Sequence, residues 1–260
     1  MRSRNIALGC ALTGMLGFAA LPPAPARAVS TASAVSTASA VSRAAARKAV
    51  PILSISTSGT TYAYSSRVWL TVRLGRTHAN RGVSIYAAPV GVRHWLWHSG
   101  KVNAAGHLRV EFRLTRTTTF TATFGGDARD APARASRTVN AVARVAEAVS
   151  GYFSKTKARG ITYYVFRSRR MLVLHATVSP NKHGECLKPE TEQWDTGYGW
   201  DDNTSYGCDS LDGHSHDSAP FNLVRAAGER YRIRANYVHS ARDRANLSAN
   251  GPWLYLMVMK

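Results

Sequence analysis

The sequence predicts an all-β protein: two antiparallel β-sandwiches in tandem, following a signal peptide and a disordered linker. Three observations carry this reading. Through most of residues 50–260 the apolar side chains fall at every second position, the period of strands with one buried face. Breaks rich in Gly, Asn and Asp separate these runs at the short intervals typical of sandwiches. Beyond the N-terminal segment there is one pair of cysteines, Cys186 and Cys208.

The N-terminus has a positive start at Arg2 and Arg4, an apolar stretch from Ile6 to Leu21, and Ala26-Arg27-Ala28 as a small-x-small cleavage pattern. This predicts a secretory signal peptide over 1–28. The apolar stretch is short of the roughly 20 residues a membrane span needs, and no second one follows. The mature chain is therefore expected to be secreted or held at the cell surface, without a transmembrane segment. Cys10 opens the apolar run, whereas a lipobox cysteine would close it. Residues 29–49 are a low-complexity Ala/Ser/Thr/Val linker in which Ala-Val-Ser-Thr-Ala-Ser occurs at 28–33 and again at 34–39. Such small side chains bury too little apolar area to offset ordering entropy. About 210 residues remain, enough for two small domains, expected at 50–145 and 146–260.

The net charge is +19, and it is unevenly placed. Residues 43–145 hold 16 Lys and Arg against three acids, residues 146–260 hold 15 against 12. A field of this sign draws polyanions. In an exported chain the expected partner is a cell-wall polyanion or polysaccharide rather than a specific nucleic acid. Solubility alone would also account for the surplus.

In the first half, Val68, Leu70, Val72 and Leu74 point one way, and Arg67, Trp69, Thr71 and Arg73 the other. Val83 and Ile85 belong to a further strand. Leu108, Val110, Phe112 and Leu114 alternate with Arg109, Glu111 and Arg113, and Phe120, Ala122 and Phe124 with threonines. Gly75, Asn80-Arg81-Gly82, Asn103 to Gly106 and Gly125-Gly126-Asp127 supply the turns. Trp69 on the polar face with Arg67 and Arg73 offers a cation–aromatic platform, or a cap on the sandwich edge. His94 and His98 beside Trp95 and Trp97 read as surface residues of a hairpin. The segments VSIYAAPVG, VNAAGHLRVEFRLTRTTTFTATFGGD and APARASRTV resemble the bacterial immunoglobulin-like repeat domains of exported actinobacterial proteins. The resemblance implies a seven-stranded sandwich acting as a spacer or adhesion module, with no catalytic residues to carry over.

In the second half, ITYYVF and RMLVLHATVSP read as a hairpin around Arg167-Ser168-Arg169-Arg170. Leu172, Leu174, Ala176 and Val178 face the core, and His175 does not. Tyr231, Ile233, Ala235 and Tyr237 alternate with Arg230, Arg232 and Arg234. PWLYLMVM at 252–259 is apolar on both faces, which suits a central strand. VARVAEAVSGYF allows a helical turn or a strand. Gly-Glu-Cys-Leu, a Trp-rich segment, the second cysteine, Tyr-Arg-Ile-Arg-Ala and the terminal Trp-x-Tyr resemble C-terminal regions of secreted actinobacterial proteins. That resemblance implies a β fold and a disulfide and brings no activity.

The stretch from Glu185 to Asp217 holds nine acids, one lysine and both cysteines. An even pair in an exported chain is most simply a disulfide, here joining neighbouring strands, with DTGYGWDDNTSYG as the long connection and Trp194 or Trp200 over the bridge. As a binding site, Trp194, Tyr198, Trp200 and Tyr206 would stack on sugar faces while Asp201 and Asp202 bond hydroxyls. His214 and His216, two apart near Asp212 and Asp217, are a sparse set for zinc. No metal or other cofactor is expected. The acidic stretch would dock on the basic sandwich or chain molecules head to tail. Together these features predict a secreted, non-catalytic binding or adhesion module. The alternative is a metal-assisted or carboxylate-based hydrolase with its site in 183–217.

Overall fold

The computed structural model describes residues 48–75, 81–222 and 227–259, with the side chains of 202–205 excepted. The expected signal peptide (1–28), nearly all of the expected linker (29–49) and Asn80 of the expected turn lie outside the described residues. Those residues contain strands, turns and bends but no helix, so none is long and apolar enough to cross a membrane.

Eight strands build the first sandwich. They are β1 (Ser54–Thr57), β2 (Thr61–Ala63), β3 (Ser66–Arg73), β4 (Gly82–Pro89), β5 (Trp95–Lys101), β6 (His107–Leu114), β7 (Thr118–Phe124) and β8 (Ala133–Val142). One sheet has the order β1-β3-β6, the other β2-β8-β7-β4-β5. The second and fifth long strands thus pair in one layer while the third, sixth and seventh pair in the other, which is the immunoglobulin-like connection. The alternation read above sets the core: Val68, Leu70, Val72, Ile85, Leu114, Phe120 and Ala122 are fully buried between the sheets. Trp97 turns inward onto Phe112 (ring centroids 5.0 Å apart) and Phe120 (6.0 Å). A bulge opposite Ile85/Tyr86 frees Trp97 from the ladder.

Eleven strands follow: β9 (Arg144–Ser150), β10 (Ser154–Ala158), β11 (Ile161–Arg167), β12 (Met171–Ser179), β13 (Cys186–Asp195), β14 (Gly199–Ser205), β15 (Asp209–Ser210), β16 (His216–Asn222), β17 (Arg230–Val238), β18 (Ala249–Asn250) and β19 (Leu254–Met259). The large sheet runs β10-β11-β19-β17-β13-β14, with β15 on β13 and β18 on β17. The small sheet is β16-β12-β9. Leu172, Leu174, Phe166, Ile233, Tyr237 and Val258 fill the space between them.

Several expectations change here. VARVAEAVSG is strand β9. β11 and β12 do not form a hairpin. The turn at Arg167–Arg170 sends them to opposite sheets, β11 beside β19 and β12 between β16 and β9. Two pairs, β2–β8 and β11–β19, are parallel in otherwise antiparallel sheets. In each case the partner lies far along the chain, so local alternation carries no sign of the pairing direction. β19 is central, as its two apolar faces suggest.

Where β17 passes from β18 to β19 its ladder is interrupted, and the gap is filled by a side chain from the other sheet. Glu147 on β9 accepts the Ala235 N–H at 2.5 Å through Oε1, while Gly251 N–H donates to Ala235 O at 2.8 Å. A Cβ at 251 would fall within the Glu147 carboxylate, so only glycine fits. Burial pushes the Glu147 carboxyl up to about 7.

The halves meet through residues 243–247. Thr117 N–H donates to Ala245 O (2.7 Å), Leu247 N–H to Ala141 O (2.7 Å), and Asn246 Nδ2 to Thr115 O (3.1 Å). Lys182, almost fully buried, donates to Asn246 Oδ1 at 2.9 Å and pairs with Asp243, which also accepts the Tyr237 hydroxyl. A charge so enclosed needs these partners, and they fix the joining loop from behind.

Candidate functional site

On the large sheet the side chains opposite the core form three rows across the strands. Register puts Tyr163, Tyr255, Arg232 and Glu192 in one row. Glu190 lies opposite Arg234 in the next. Trp194 faces Trp200 across the β13–β14 hairpin. The period of two places all of these on one face, and Trp253, just before β19, leans over it. The result is a surface of aromatic rings and guanidinium groups held together by carboxylates.

The contacts are close. Trp194 and Trp200 meet edge to face at 5.2 Å, as do Tyr163 and Tyr255 at 5.8 Å, and Trp200 and Tyr255 meet at a tilt at 5.7 Å. The Arg232 guanidinium lies 4.8 Å from the Trp200 ring centre and 4.3 Å from that of Trp253, and Arg234 lies 4.1 Å from Trp253. Arg232 Nε donates to Glu192 Oε2 at 2.5 Å, Arg234 Nε to Glu190 Oε2 at 2.7 Å, and Asn236 Nδ2 to the same Glu190 oxygen at 2.7 Å. The Arg234 hydrogen bond holds the Glu190 carboxyl below its usual range. Each guanidinium is thus stacked on a ring and fixed by a carboxylate. Trp194 keeps 40% of its surface exposed.

The residues singled out from the sequence do not all gather here. Trp194 and Trp200 do. Tyr198 stands at the hairpin tip, 91% exposed, in a turn closed by Asp195 Oδ1 accepting the Gly197 and Tyr198 amides. Asp201 pairs with Gln193, one step along from Trp200, and so lies on the reverse face. Asp202 is in register with Glu192; its side chain lies outside the described residues. Tyr206 packs edge-on against Phe221 at 4.9 Å, on the core side. Glu190, Glu192, Arg232, Arg234, Trp253 and Tyr255 were missed as site residues. Their signal was the outward alternation of Arg-x-Arg-x-Arg and Trp-x-Tyr, which gives a face but not the strands that share it.

The disulfide joins Cys186 to Cys208, Cα atoms 5.2 Å apart. Neither tryptophan covers it. Cys186 lies across from Val238 and Ser210, and Trp194 is at the other end of β13, about 26 Å away at ~3.3 Å per residue. The expected long loop between the cysteines is largely the β13–β14 hairpin. The acids do not lie on the first sandwich. The ion pairs among the described residues fall within one half or the other. Asp212 Oδ1 accepts the backbone amides of His214 and His216 and closes their turn. His216 stacks on His175 at 6.0 Å. Among the described residues no three His, Cys, Asp or Glu side chains converge as a metal site would require. On the first sandwich Trp69 is covered by Arg109 at 4.5 Å rather than by Arg67 or Arg73, and Arg67 pairs with Glu111.

No protein-family model and no curated protein sequence matches the chain. The solved structures to which the chain shows low similarity include the following. The D0–D1 domain of intimin is 11% identical over 78% of this chain and 97% of its own, with a TM-score of 0.27. A tetra-tandem repeat from the extending region of a large adhesion protein is 13% identical over 79% and 49%, TM-score 0.35. Murine CEACAM1b is 12% identical over 80% and 100%, TM-score 0.33. Similarity at this level carries no functional argument, and the immunoglobulin-like assignment of the first sandwich rests on its strand order.

Proposed function

We propose that the protein is an exported, non-catalytic binding module that holds a saccharide on the outer face of the large sheet. The observation that carries this is the ladder Trp194, Trp200, Tyr255 and Trp253 with Arg232 and Arg234 fixed among the rings. Such a surface pairs apolar ring faces with rigid hydrogen-bonding groups, the two things a sugar ring presents. Glu190 and Glu192 are occupied by guanidinium groups and do not stand as a proton donor and acceptor on opposite sides of a cleft. The signal peptide, the linker and the basic first half fit delivery to a polyanionic cell wall. In a glycan array followed by titration, the best ligand should bind Trp200→Ala about 10-fold more weakly, a change of ~1.4 kcal/mol. Undiminished binding by that variant would remove the aromatic face from the account.

A second reading, a carboxylate hydrolase, is favoured by one place. Asp209 and Asp217 line a hollow of about 200 Å³ together with Tyr206. Burial first, then the neighbouring Asp209, raises the Asp217 carboxyl, and two carboxyl groups in one hollow with one of them raised is the pattern of acid–base pairs. Release of reducing ends from a cell-wall polysaccharide that disappears in Asp217→Asn would establish it, and no release by the unaltered protein would dismiss it.

A further inference from the structure

We infer that the outer face of the five-stranded sheet in the first sandwich is a second binding site, a groove for one strand of an acidic polysaccharide. The inference does not depend on the reading of the large sheet. A groove of about 570 Å³ lies there, bordered by Tyr86, His94, Thr119, Thr121, Thr123 and Arg134. Register shows how it is built. Ser84, Thr123 and Arg134 form one row across β4, β7 and β8, Tyr86, Thr121 and Ser136 the next, and Ala88, Thr119 and Thr138 the third. The hollow lies where Ala88 replaces a larger side chain in line with Tyr86. The bulge at Ile85/Tyr86 alters the course of β5 along this edge, and exposed His94 stands at its end. Arg134 marks the opposite end, two rows away, or about 13 Å at ~3.3 Å per residue.

The lining matches the parts of a uronate polymer. The Thr119–Thr138 and Thr121–Ser136 hydroxyl pairs, 2.9 and 3.0 Å apart, each use one proton internally. Each pair therefore keeps one free donor and spare lone pairs, a row of groups suited to sugar hydroxyls. Tyr86 adds an aromatic ring to the lining beside the sugar body. The Arg134 guanidinium is exposed and its fork fits a carboxylate. None of the residues bordering the groove is an acid, and the surrounding half carries 16 basic residues against three acids. The field and the local donors therefore favour the same sign of ligand. A neutral glycan would leave Arg134 and this field unused. A bare polyanion would leave Tyr86 and the hydroxyl rows unused.

The test titrates the full chain, at about 0.15 M salt, with oligogalacturonate, a neutral oligosaccharide of similar length, and inorganic polyphosphate. Oligogalacturonate should bind. Arg134→Ala should weaken it about 10-fold and Thr121→Val, which keeps the β-branched shape, several-fold. Trp69→Ala, on the other sheet of the same sandwich, should leave it unchanged, and the neutral oligosaccharide should not compete. Three results would overturn the inference: no binding of oligogalacturonate; polyphosphate binding equally well with no effect of Thr121→Val, which would reduce the groove to bulk charge; or loss in Trp200→Ala with retention in Arg134→Ala, which would place the polymer on the large sheet. Circular dichroism of Thr121→Val and Arg134→Ala confirms that each keeps the β fold.

Discussion

The outer faces of the two five- and eight-stranded sheets differ in how each uses its charge. On the first sandwich all three acids of the half, Glu111, Asp127 and Asp130, pair with Arg67 or Arg81, and the surplus of Lys and Arg over acids in this half sets the field. On the second, Glu190 and Glu192 meet Arg234 and Arg232 strand to strand, and the arginines end under tryptophan rings. The same period-two code thus yields a cationic hydroxyl face in one place and a charge-balanced aromatic face in the other. What separates them is whether an outward arginine finds a carboxylate directly across the ladder.

The halves are also held together differently, and this can be broken experimentally. The first sandwich has no crosslink and depends on the Trp97–Phe112–Phe120 cluster. Phe120→Ala, at a fully buried position, should cost about 3–5 kcal/mol in urea titration. A loss below about 1 kcal/mol would show that the cluster does not anchor this half.

The second half has a crosslink between positions 22 apart. Replacing both cysteines with serine should cost about 3 kcal/mol on the chain-entropy model, with oligogalacturonate binding by the first sandwich intact. If that binding also fails, the 243–247 junction couples the halves more tightly than the comparison allows.

Glu147 gives the second half a pH dependence opposite in direction to that of Asp127 in the first, whose carboxyl is lowered by the Asp130 and Arg129 backbone amides. The Glu147 carboxyl is raised from 4.5 to about 7 by burial, against the Ala235 hydrogen bond and the Arg234 charge. A group raised in the fold holds its proton more tightly folded than unfolded. Its contribution is complete below about pH 4.5 and is lost as pH rises through about 7. Thermal unfolding from pH 4.5 to 8 should show this decline, and Glu147→Gln should flatten it by up to about 3 kcal/mol. An identical slope in the variant would assign the dependence elsewhere.

The smallest effect sharpens the contrast between the faces. Glu190→Gln should cost about 1 kcal/mol of stability and should make glycan binding by the large sheet more salt-sensitive, since Arg234 would then carry an unbalanced charge. Salt sensitivity equal to that of the parent protein would mean that the ion pair does not set the character of this face.

Much of this molecule was written into its local pattern. Val68, Leu70 and Val72, or Leu172 and Leu174, announce their burial because the pleat sends alternate side chains to opposite faces whatever the strand pairs with. The two cysteines beyond the N-terminal segment point to one another, and the Cys186–Cys208 bond joins them. The charge asymmetry between the halves is a matter of counting. Trp194 and Trp200 stood out as aromatics close in sequence, and a hairpin brings such residues together.

What the tertiary structure decided is partnership. Tyr206 and Trp200 looked alike in sequence, yet one packs on Phe221 at the core and the other lies against Arg232 on the outer face. Trp253 and Tyr255 join the site only because β19 lies between β11 and β17, and β11 leaves β12 only because the turn at Arg167–Arg170 changes sheets. The hollow at Ala88 exists because β4 pairs with β7 across the intervening β5 and β6, which sets Ala88 beside the hydroxyl rows of β7 and β8. Alternation depends on one residue and its immediate neighbours, whereas pairing depends on the burial of a whole sheet, a sum no single segment contains.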